Sequence, residues 1–319
     1  MVQEHQANLN TGIVRLFVVV VLYKMKPSES VTLKTLRVTL SSISETQASV
    51  KLLLYDNTPG GQDPGELPAG AIYASDTRNR GLARAYNFAL EDAYREGFDW
   101  LLTLDQDTSL PVEFMSKLVH TAAYVLPFQT IGAIVPFAAS DGRIVSPKMI
   151  MKHGSLGTCF PPGYIGLSLQ RAHAVNSAST IRVSALKTIG GYDSRFNLWF
   201  SDIVMYNRLH RNNFRLFVAG DIYVDHEMSG FDLKSRSTPQ RYEDILQAEE
   251  AFYDEEMDWV GELVVLLKLI YRLVYGLRHT GGGIPHFKIA ARFFYRRLFY
   301  SRRYRRQTWE QAVRLRETP

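Results

Sequence analysis

Residues 100–108 have the sequence WLLTLDQDT, and this short stretch decides the fold. The apolar run 100–104 predicts a strand that ends at Asp105, and Asp107 follows two residues later. Two carboxylates at one strand exit can face the same crevice, where oxygen ligands bind Mg²⁺ or Mn²⁺ and substrate phosphates complete the shell. Taken alone, the pattern also suits a solvated turn with capping aspartates. The wider sequence has to separate these two interpretations.

Strands and helices alternate along the chain around this stretch. Apart from residues 100–104, the predicted strands are 13–22, 50–55, 71–74, 214–218 and 222–224. The predicted helices are 30–43, 82–94, 183–189, 201–211 and one that begins at Pro111 and runs to about residue 125. Residues 131–176 have a mixed pattern of short strands. The alternation predicts an α/β fold with a mostly parallel sheet, in which ligands gather at the carboxyl ends of the strands.

The chain divides by composition into three regions. We expect a short disordered leader over residues 1–12, a domain over 13–230 and a helical, basic region over 231–319. Within the domain, we distinguish an amino-terminal half over residues 13–110 and a carboxyl-terminal half over 111–230.

The overall composition is that of a folded protein in a reducing compartment. The 319 residues are 46% apolar and 22% charged, and the single cysteine excludes an intrachain disulfide or a zinc cluster of cysteines. Residues 13–22 are too few to cross a bilayer. Residues 260–277 are interrupted by Glu262, Lys268 and Arg272, which argues against a spanning helix. We expect a cytoplasmic protein, either soluble or peripheral.

The net charge of +5 is concentrated near the carboxyl end, where nine arginines fall within residues 292–316. Lys288, Arg292 and Arg296 recur every four residues and predict one basic stripe on a helix. Such a stripe suits an anionic membrane surface, such as the inner face of the plasma membrane. No base-reading motif accompanies it, so nucleic acid is not an expected partner. Residues 260–277 would help the protein to dock on such a surface or to dimerise, or they would pack within the fold like an ordinary apolar helix.

Several motifs occur in a fixed order along the chain. They are the first strand, an Asp56-Asn57 turn, the segment NRGLARAYN at 79–87 and the LDQDT run. Over residues 14–230 this order resembles the family 2 glycosyltransferases of the GT-A fold, especially bacterial rhamnosyltransferases. The resemblance implies a GT-A (Rossmann-like) fold with a helical basic extension. It also implies a metal-dependent, inverting enzyme of the hexosyltransferase type.

The same resemblance implies the substrates. The donor would be a dTDP-, UDP- or GDP-linked sugar, with rhamnose as the expected sugar. The acceptor would be a saccharide or lipid-linked saccharide in the biosynthesis of a cell-wall polysaccharide.

On the donor side, the resemblance assigns the base and ribose to Tyr23 and Asp56. Only the tyrosine matches the usual Thr-Tyr-Asn ending of the first strand. The Asp56 carboxylate can accept from an imide N–H, although an aspartate here also suits a turn. Asn79, Arg80 and Arg84 would approach the diphosphate, and either arginine also suits a solvated helix surface. Asp105 would contact the donor as well as the metal.

On the acceptor side, Asp202 matches the catalytic aspartate of the family and would remove the proton from the acceptor hydroxyl. Ser201 stands where the family has glutamate, and Val204 stands where a second aspartate is frequent. These departures put the acceptor type and the positioning of Asp202 in question. Without the resemblance, Asp202 is equally suited to cap the helix.

Three further residues are assigned with less support. His226 matches a family histidine after the last core strand and would complete the metal shell or bind the diphosphate. Ser177 lies in a segment that resembles the acceptor side. Trp199 could stack on a sugar, although core packing is the simpler explanation.

Two other functions fit parts of the sequence. In a haloacid dehalogenase-like phosphatase, Asp105 would be the nucleophile and Asp107 the acid/base, with Lys187 as the lysine and residues 220–225 as a matching Gly-Asp-x-x-x-Asp. That family needs Thr or Val where this chain has Ser109, and its nucleophile strand usually opens the fold. The third possibility is a non-catalytic, basic membrane-binding protein.

Overall fold

The computed structural model describes residues 12–150, 157–226, 238–257, 259–278 and 283–317. The expected leader, apart from residue 12, and the expected boundary at residue 230 lie outside these ranges. The strands are β1 (Val14–Leu22), β2 (Ala48–Asp56), β3 (Ile72–Ser75), β4 (Trp100–Asp105), β5 (Ile131–Ser140), β6 (Arg143–Ser146), β7 (Lys148–Ile150), β8 (Gly157–Cys159), β9 (Ile165–Leu167), β10 (Ala172–His173), β11 (Ser179–Arg182) and β12 (Arg215–Asp225). The helices are α1 (Val31–Leu40), α2 (Leu82–Arg95), α3 (Phe114–Val125), α4 (Val183–Thr188), α5 (Ser201–Arg211), α6 (Pro239–Glu256), α7 (Trp259–Arg278), α8 (Gly283–Phe299) and α9 (Arg302–Glu317).

Within the described residues, nine strands form one sheet in the order β3-β2-β1-β4-β11-β5-β12-β9, with β6 paired to β5. Strands β3, β2, β1, β4, β5 and β12 run in one direction, and β11, β9 and β6 run against them. The predicted mixed α/β fold with a mostly parallel sheet is confirmed.

Strand β1 lies in the middle of the parallel part because its apolar side chains can be buried on both faces. Val19 packs with α2, α4 and α5 on one face, whereas Val18 and Val20 pack with α1 and α3 on the other. The register pairs Leu22 with Asp56 and Val21 with Asp105. Both aspartates therefore sit at the carboxyl ends of the strands that flank β1.

Two boundaries differ from the sequence prediction. Helix α3 begins at Phe114 and not at Pro111, because Ser109 and Leu110 are still held in extended chain by Asp225 and Thr35. The two short strands predicted over 214–224 form the single strand β12, whose register shifts after Ala219.

The last four helices form a bundle around an acidic helix, α6. Its carboxylates Glu249, Glu250 and Asp254 are buried and face cations of the other three helices. The buried pairs join Glu249 to Lys268 and Arg272, Glu250 to Arg296, and Asp254 to Arg297 and Arg305. Buried charges need such partners because desolvation would otherwise be costly.

These pairs correct the interpretation of the basic stripe. Arg292 contacts Glu243 at 2.5 Å and Arg296 contacts Glu250 at 2.9 Å, so two of its three cations are paired with carboxylates of α6. Only Lys288 of the stripe is left exposed without an ion pair among the described residues. Over the same described ranges, no helix combines the length and apolar character needed to cross a bilayer.

The bundle packs against the segment that precedes α5. Phe196 contacts Trp309 and Phe200 contacts Phe252, with ring centroids 5.6 and 5.3 Å apart. Arg195 also pairs with Glu255 of α6 at 2.7 Å. The bundle therefore supports one wall of the sheet domain.

Arg182 generates a stability prediction. Its guanidinium is buried, lies over the Trp100 ring and donates to the carbonyls of Val125 and Ile131, among others, where α3 leads into β5. Arg182→Met removes these buried hydrogen bonds and the guanidinium over Trp100, and we expect the free energy of unfolding to fall by about 2–4 kcal/mol in urea denaturation. Arg95→Met, at an exposed surface pair, is the control and should change stability little. Equal losses in both variants would contradict this assignment.

Candidate functional site

Two strand ends bring the acidic turn and His226 together. Asp105 is the last residue of β4, and His226 directly follows β12. Ser109 and Asp225 exchange two backbone hydrogen bonds of 2.8 and 3.2 Å, which tie the acidic turn to the end of β12. The His226 N–H donates to the Ala139 carbonyl at 2.9 Å, so its backbone is held from both sides.

The three side chains form a cluster with the spacing of a metal site. The Nε2 atom of His226 lies 3.6 Å from an Asp105 oxygen, and its Nδ1 atom lies 3.6 Å from an Asp107 oxygen. One ligand atom from each residue falls within 4.8 Å of the others. Two carboxylates and an imidazole are a donor set that suits Mn²⁺. This arrangement supports Asp105, Asp107 and His226 as the metal ligands.

Helix α1 braces the acidic turn. The Thr32 hydroxyl lies 2.5 Å from the Asp105 carbonyl and accepts from the Thr108 N–H at 2.8 Å. Ser30, the N-cap of α1, donates to the Gln106 carbonyl at 2.7 Å. These contacts satisfy backbone groups that the turn would otherwise leave unpaired. Ser30 and Thr32 are not among the predicted site residues, because their only signal in the sequence is their position at a helix start.

Ser177 belongs to the same support and not to an exposed acceptor surface. It is 1% exposed, its hydroxyl accepts from the Asp105 N–H at 3.0 Å, and it lies 2.5 Å from the Thr108 hydroxyl. Thr108 in turn lies 3.0 Å from Nδ1 of His226. The acceptor contact of Ser177 stays a prediction, which the burial of its hydroxyl does not favour.

The pKa of the Asp105 carboxyl is raised by some of its surroundings and lowered by others. Burial raises the pKa of its carboxyl and the Asp107 charge adds to this rise, whereas His226 and a hydrogen bond from Tyr86 lower it. The Tyr86 hydroxyl donates to the second Asp105 oxygen at 3.1 Å and so fixes the carboxyl plane. Two adjacent carboxylates are best stabilised by a cation between them.

Asp202 lies at the start of α5, close enough to Asp105 for the two charges to repel. Burial raises the pKa of Asp202 to about 6, against a lowering by the Ile203 backbone N–H, and the Asp105 charge raises it further. Phe200, in the left-handed region with φ of 64°, turns the chain into the helix. A carboxylate with a pKa near neutrality can act as a general base.

Asp56 does not offer the open acceptor that we predicted. It is fully buried, and its oxygens accept from the Thr58 N–H at 2.9 Å, Gln62 at 3.1 Å and Tyr73 at 2.7 Å. The hydrogen bond from the Thr58 N–H is typical of an aspartate that forms a turn, which is the second role that the sequence allows for Asp56. Contact with a nucleobase would first require Gln62 or Tyr73 to move, and that role stays a prediction.

Tyr23 is the donor-side residue that lies against the acidic turn. Its backbone N–H donates to the Gln106 side chain at 2.7 Å, and its exposed ring faces solvent. Gln106, the middle residue of the Asp-Gln-Asp turn, therefore links the ends of β1 and β4.

The other donor-side residues lie around the start of α2. Asn79 has a left-handed φ of 51°, and Arg80 is paired with the buried Asp76 at 2.9 Å. Arg84 is exposed in the first turn of the helix that also carries Tyr86. Arg84 is thus the more accessible arginine for an anion, and the diphosphate contacts of all three residues stay predictions.

Trp199 is half-buried against the bundle, and the Arg241 guanidinium lies over its ring at 5.0 Å. One face of the indole is therefore covered, as expected for packing. Its stacking on a sugar stays a prediction.

Comparison with known proteins identifies the fold. No family model matches the sequence, and no curated protein matches it. Residues 1–349 of TarS from S. aureus align with a TM-score of 0.54 and 13% identity, covering 94% of this chain and 90% of that one. GalNAc-T7, crystallised with UDP, GalNAc and Mn²⁺, aligns with a TM-score of 0.52 and 13% identity over 90% of this chain. The alignment spans only 56% of the GalNAc-T7 chain. These likenesses show the GT-A fold.

The cluster generates a metal-binding prediction. We expect Mn²⁺ to bind the wild-type protein, and His226→Gln and Asp107→Asn each to weaken binding about tenfold or more, because each removes one ligand. Titration of free Mn²⁺ by electron paramagnetic resonance measures this directly. Asp221→Asn, an exposed carboxylate on the same β12, is the matched control and should bind Mn²⁺ like the wild type. Unchanged affinity in the His226 variant would remove that residue from the site.

Proposed function

We propose that the protein is a metal-dependent glycosyltransferase that moves a sugar from a nucleotide-diphosphate donor to an acceptor hydroxyl. The observation that carries the proposal is the cluster of Asp105, Asp107 and His226 at the carboxyl edge of the sheet, with Asp202 near enough to Asp105 for the two charges to repel. A proton acceptor next to a cation site at the carboxyl edge of a sheet is what this reaction needs.

Each group has a separate task in this proposal. When bound, a divalent cation would neutralise the departing diphosphate. Asp105, Asp107 and His226 hold that cation, and Tyr86 orients Asp105. Asp202 accepts the proton of the acceptor hydroxyl as its oxygen attacks the anomeric carbon, so a single displacement inverts that carbon.

The donor contacts follow from the placement of residues around the acidic turn. Tyr23 would cover the base or ribose, and Arg84, with Asn79 and Arg80 nearby, would face the diphosphate. Asp56 would reach the base only after Gln62 leaves it. UDP and Mn²⁺ in the GalNAc-T7 crystals support a donor of this class for a shared fold.

The finer assignments depend on the sequence resemblance. We propose a family 2 enzyme with rhamnose as the sugar, a dTDP, UDP or GDP carrier, and Mn²⁺ or Mg²⁺ as the metal. The acceptor would be a saccharide or lipid-linked saccharide of a cell-wall polysaccharide, met in the cytoplasm or at the inner face of the plasma membrane. The division into donor and acceptor halves, 13–110 and 111–230, is part of the same proposal.

The structure disfavours the phosphatase alternative through Lys187. The Val183 N–H, at the start of α4, bonds to the Asp99 carbonyl, next to the amino end of β4 and opposite to Asp105. Lys187 extends from that helix to Glu91 at 2.8 Å, near the end of α2. A phosphatase lysine would have to reach the Asp105 crevice. A purely membrane-binding protein gives no reason for the Asp202 arrangement.

The proposal is tested with a panel of nucleotide sugars and saccharide acceptors. Asp202→Asn should keep donor binding but lower transfer about 10²- to 10⁴-fold, because the amide cannot accept the proton. For the wild type, transfer should fall about tenfold per pH unit below pH 6, where Asp202 becomes protonated, and level off above it. Asp92→Asn, on the surface of α2, is the control.

Two results would count against the proposal. Unchanged transfer in Asp202→Asn would remove Asp202 as the base. Hydrolysis of phosphate monoesters, without turnover of any nucleotide sugar, would favour the phosphatase.

A further inference from the structure

Helix α7 has its charges turned inward. Glu262 pairs with Arg297 at 2.7 Å, and Lys268 contacts the buried Glu249 at 3.4 Å. Arg272 also pairs with Glu249. All three charged residues between 259 and 274 are therefore used inside the bundle.

The outward face of the same helix is apolar. Trp259 is 72% exposed and Leu267 is 65% exposed. The exposed residues form one stripe along the helix, here called the apolar stripe, which consists of Trp259, Leu263, Leu267, Ile270, Tyr271 and Val274. A soluble helix normally has the reverse arrangement, with apolar residues inward. An exposed stripe of this length indicates an interaction surface.

Helix α8 adds exposed positive charge and an exposed aromatic ring to the same pair of helices. It packs along α7, and both helices lie on α6. Ile284, Lys288, Arg292 and Tyr295 of α8 are exposed at helical spacing. Lys288, and Arg303 in the first turn of α9, are exposed and have no ion pair within the described ranges.

We propose that this face of the α7–α8 pair lies on an anionic phospholipid bilayer. The apolar stripe would enter the boundary between headgroups and acyl chains, and Lys288 would contact the headgroups. Trp259 near one end of the stripe and Tyr271 near the other suit that boundary, where tryptophan and tyrosine are enriched.

Charge favours a bilayer over a second copy of the chain as the occupant. An isologous contact would bring Lys288 of both copies, which has no ion pair among the described residues, to the same interface, and like charges oppose each other there. An anionic surface meets the same cations with opposite charge. The contact face differs from the stripe inferred from sequence, since Arg296 faces α6. Membrane attachment through this face goes beyond the proposed function, because a protein can bind a bilayer without transferring a sugar.

The test is cosedimentation of the full chain with vesicles of phosphatidylcholine, with and without one quarter phosphatidylglycerol. The wild type should bind the anionic vesicles, and Leu263→Ser combined with Leu267→Ser should weaken binding at least tenfold. The matched control combines Val112→Ser with Leu169→Ser, which are exposed apolar residues outside the bundle, and should bind like the wild type. Thermal unfolding compares the folding of both double variants.

Two further measurements address charge and depth. Lys288→Glu combined with Arg303→Glu should remove most of the preference for anionic vesicles. Brominated lipids should quench the fluorescence of the wild type, and Trp259→Phe should lose most of that quenching.

The proposal is overturned by equal vesicle binding in the Leu263/Leu267 variant and the wild type. It is also overturned if the wild type ignores vesicles but forms a dimer that this variant abolishes, since a second copy would then cover the stripe. Vesicle binding by a protein that turns over no nucleotide sugar would keep this surface and reject the proposed function.

Discussion

The site brings carboxylates close together, and the fold has to offset the electrostatic repulsion between them. Asp105 and Asp107 are two residues apart, and Asp202 adds a third carboxylate near Asp105. Like charges at this distance are tolerated only where the surrounding chain is rigid or a cation lies between them. Thr32 and the Ser177–Thr108 pair supply the rigidity, because they bond the backbone and side chains of the acidic turn. The three-residue cluster supplies the place for a cation.

Much of the fold could be predicted because its strongest signals are local. The continuous apolar run predicts β1, and the change from apolar residues to Asp105 predicts the end of β4. The helix predicted over 201–211 has the same bounds in the structure. The metal cluster required one more step, the resemblance that selected His226. That residue lies 119 positions from Asp107 in the chain, and spacing alone does not connect them.

The contacts that the sequence does not indicate join residues that are far apart in the chain. Nothing local indicates that Ser177 is covered by the turn after β4, or that Gln62 and Tyr73 enclose Asp56. The arginines near the carboxyl end suggested an exposed cationic surface. Their acidic partners lie on α6, dozens of residues earlier, and no local pattern shows the pairing. Charge patterning describes composition, whereas exposure depends on which helices pack together.

We propose that one cation couples the acidic cluster to a nucleoside diphosphate. This coupling can be measured by thermal unfolding with UDP, dTDP and GDP, each with and without Mn²⁺. We expect one nucleotide to raise the melting temperature strongly only when Mn²⁺ is present, and Asp107→Ala to abolish this gain. Stabilisation that is independent of metal, or that inorganic phosphate alone produces, would contradict it.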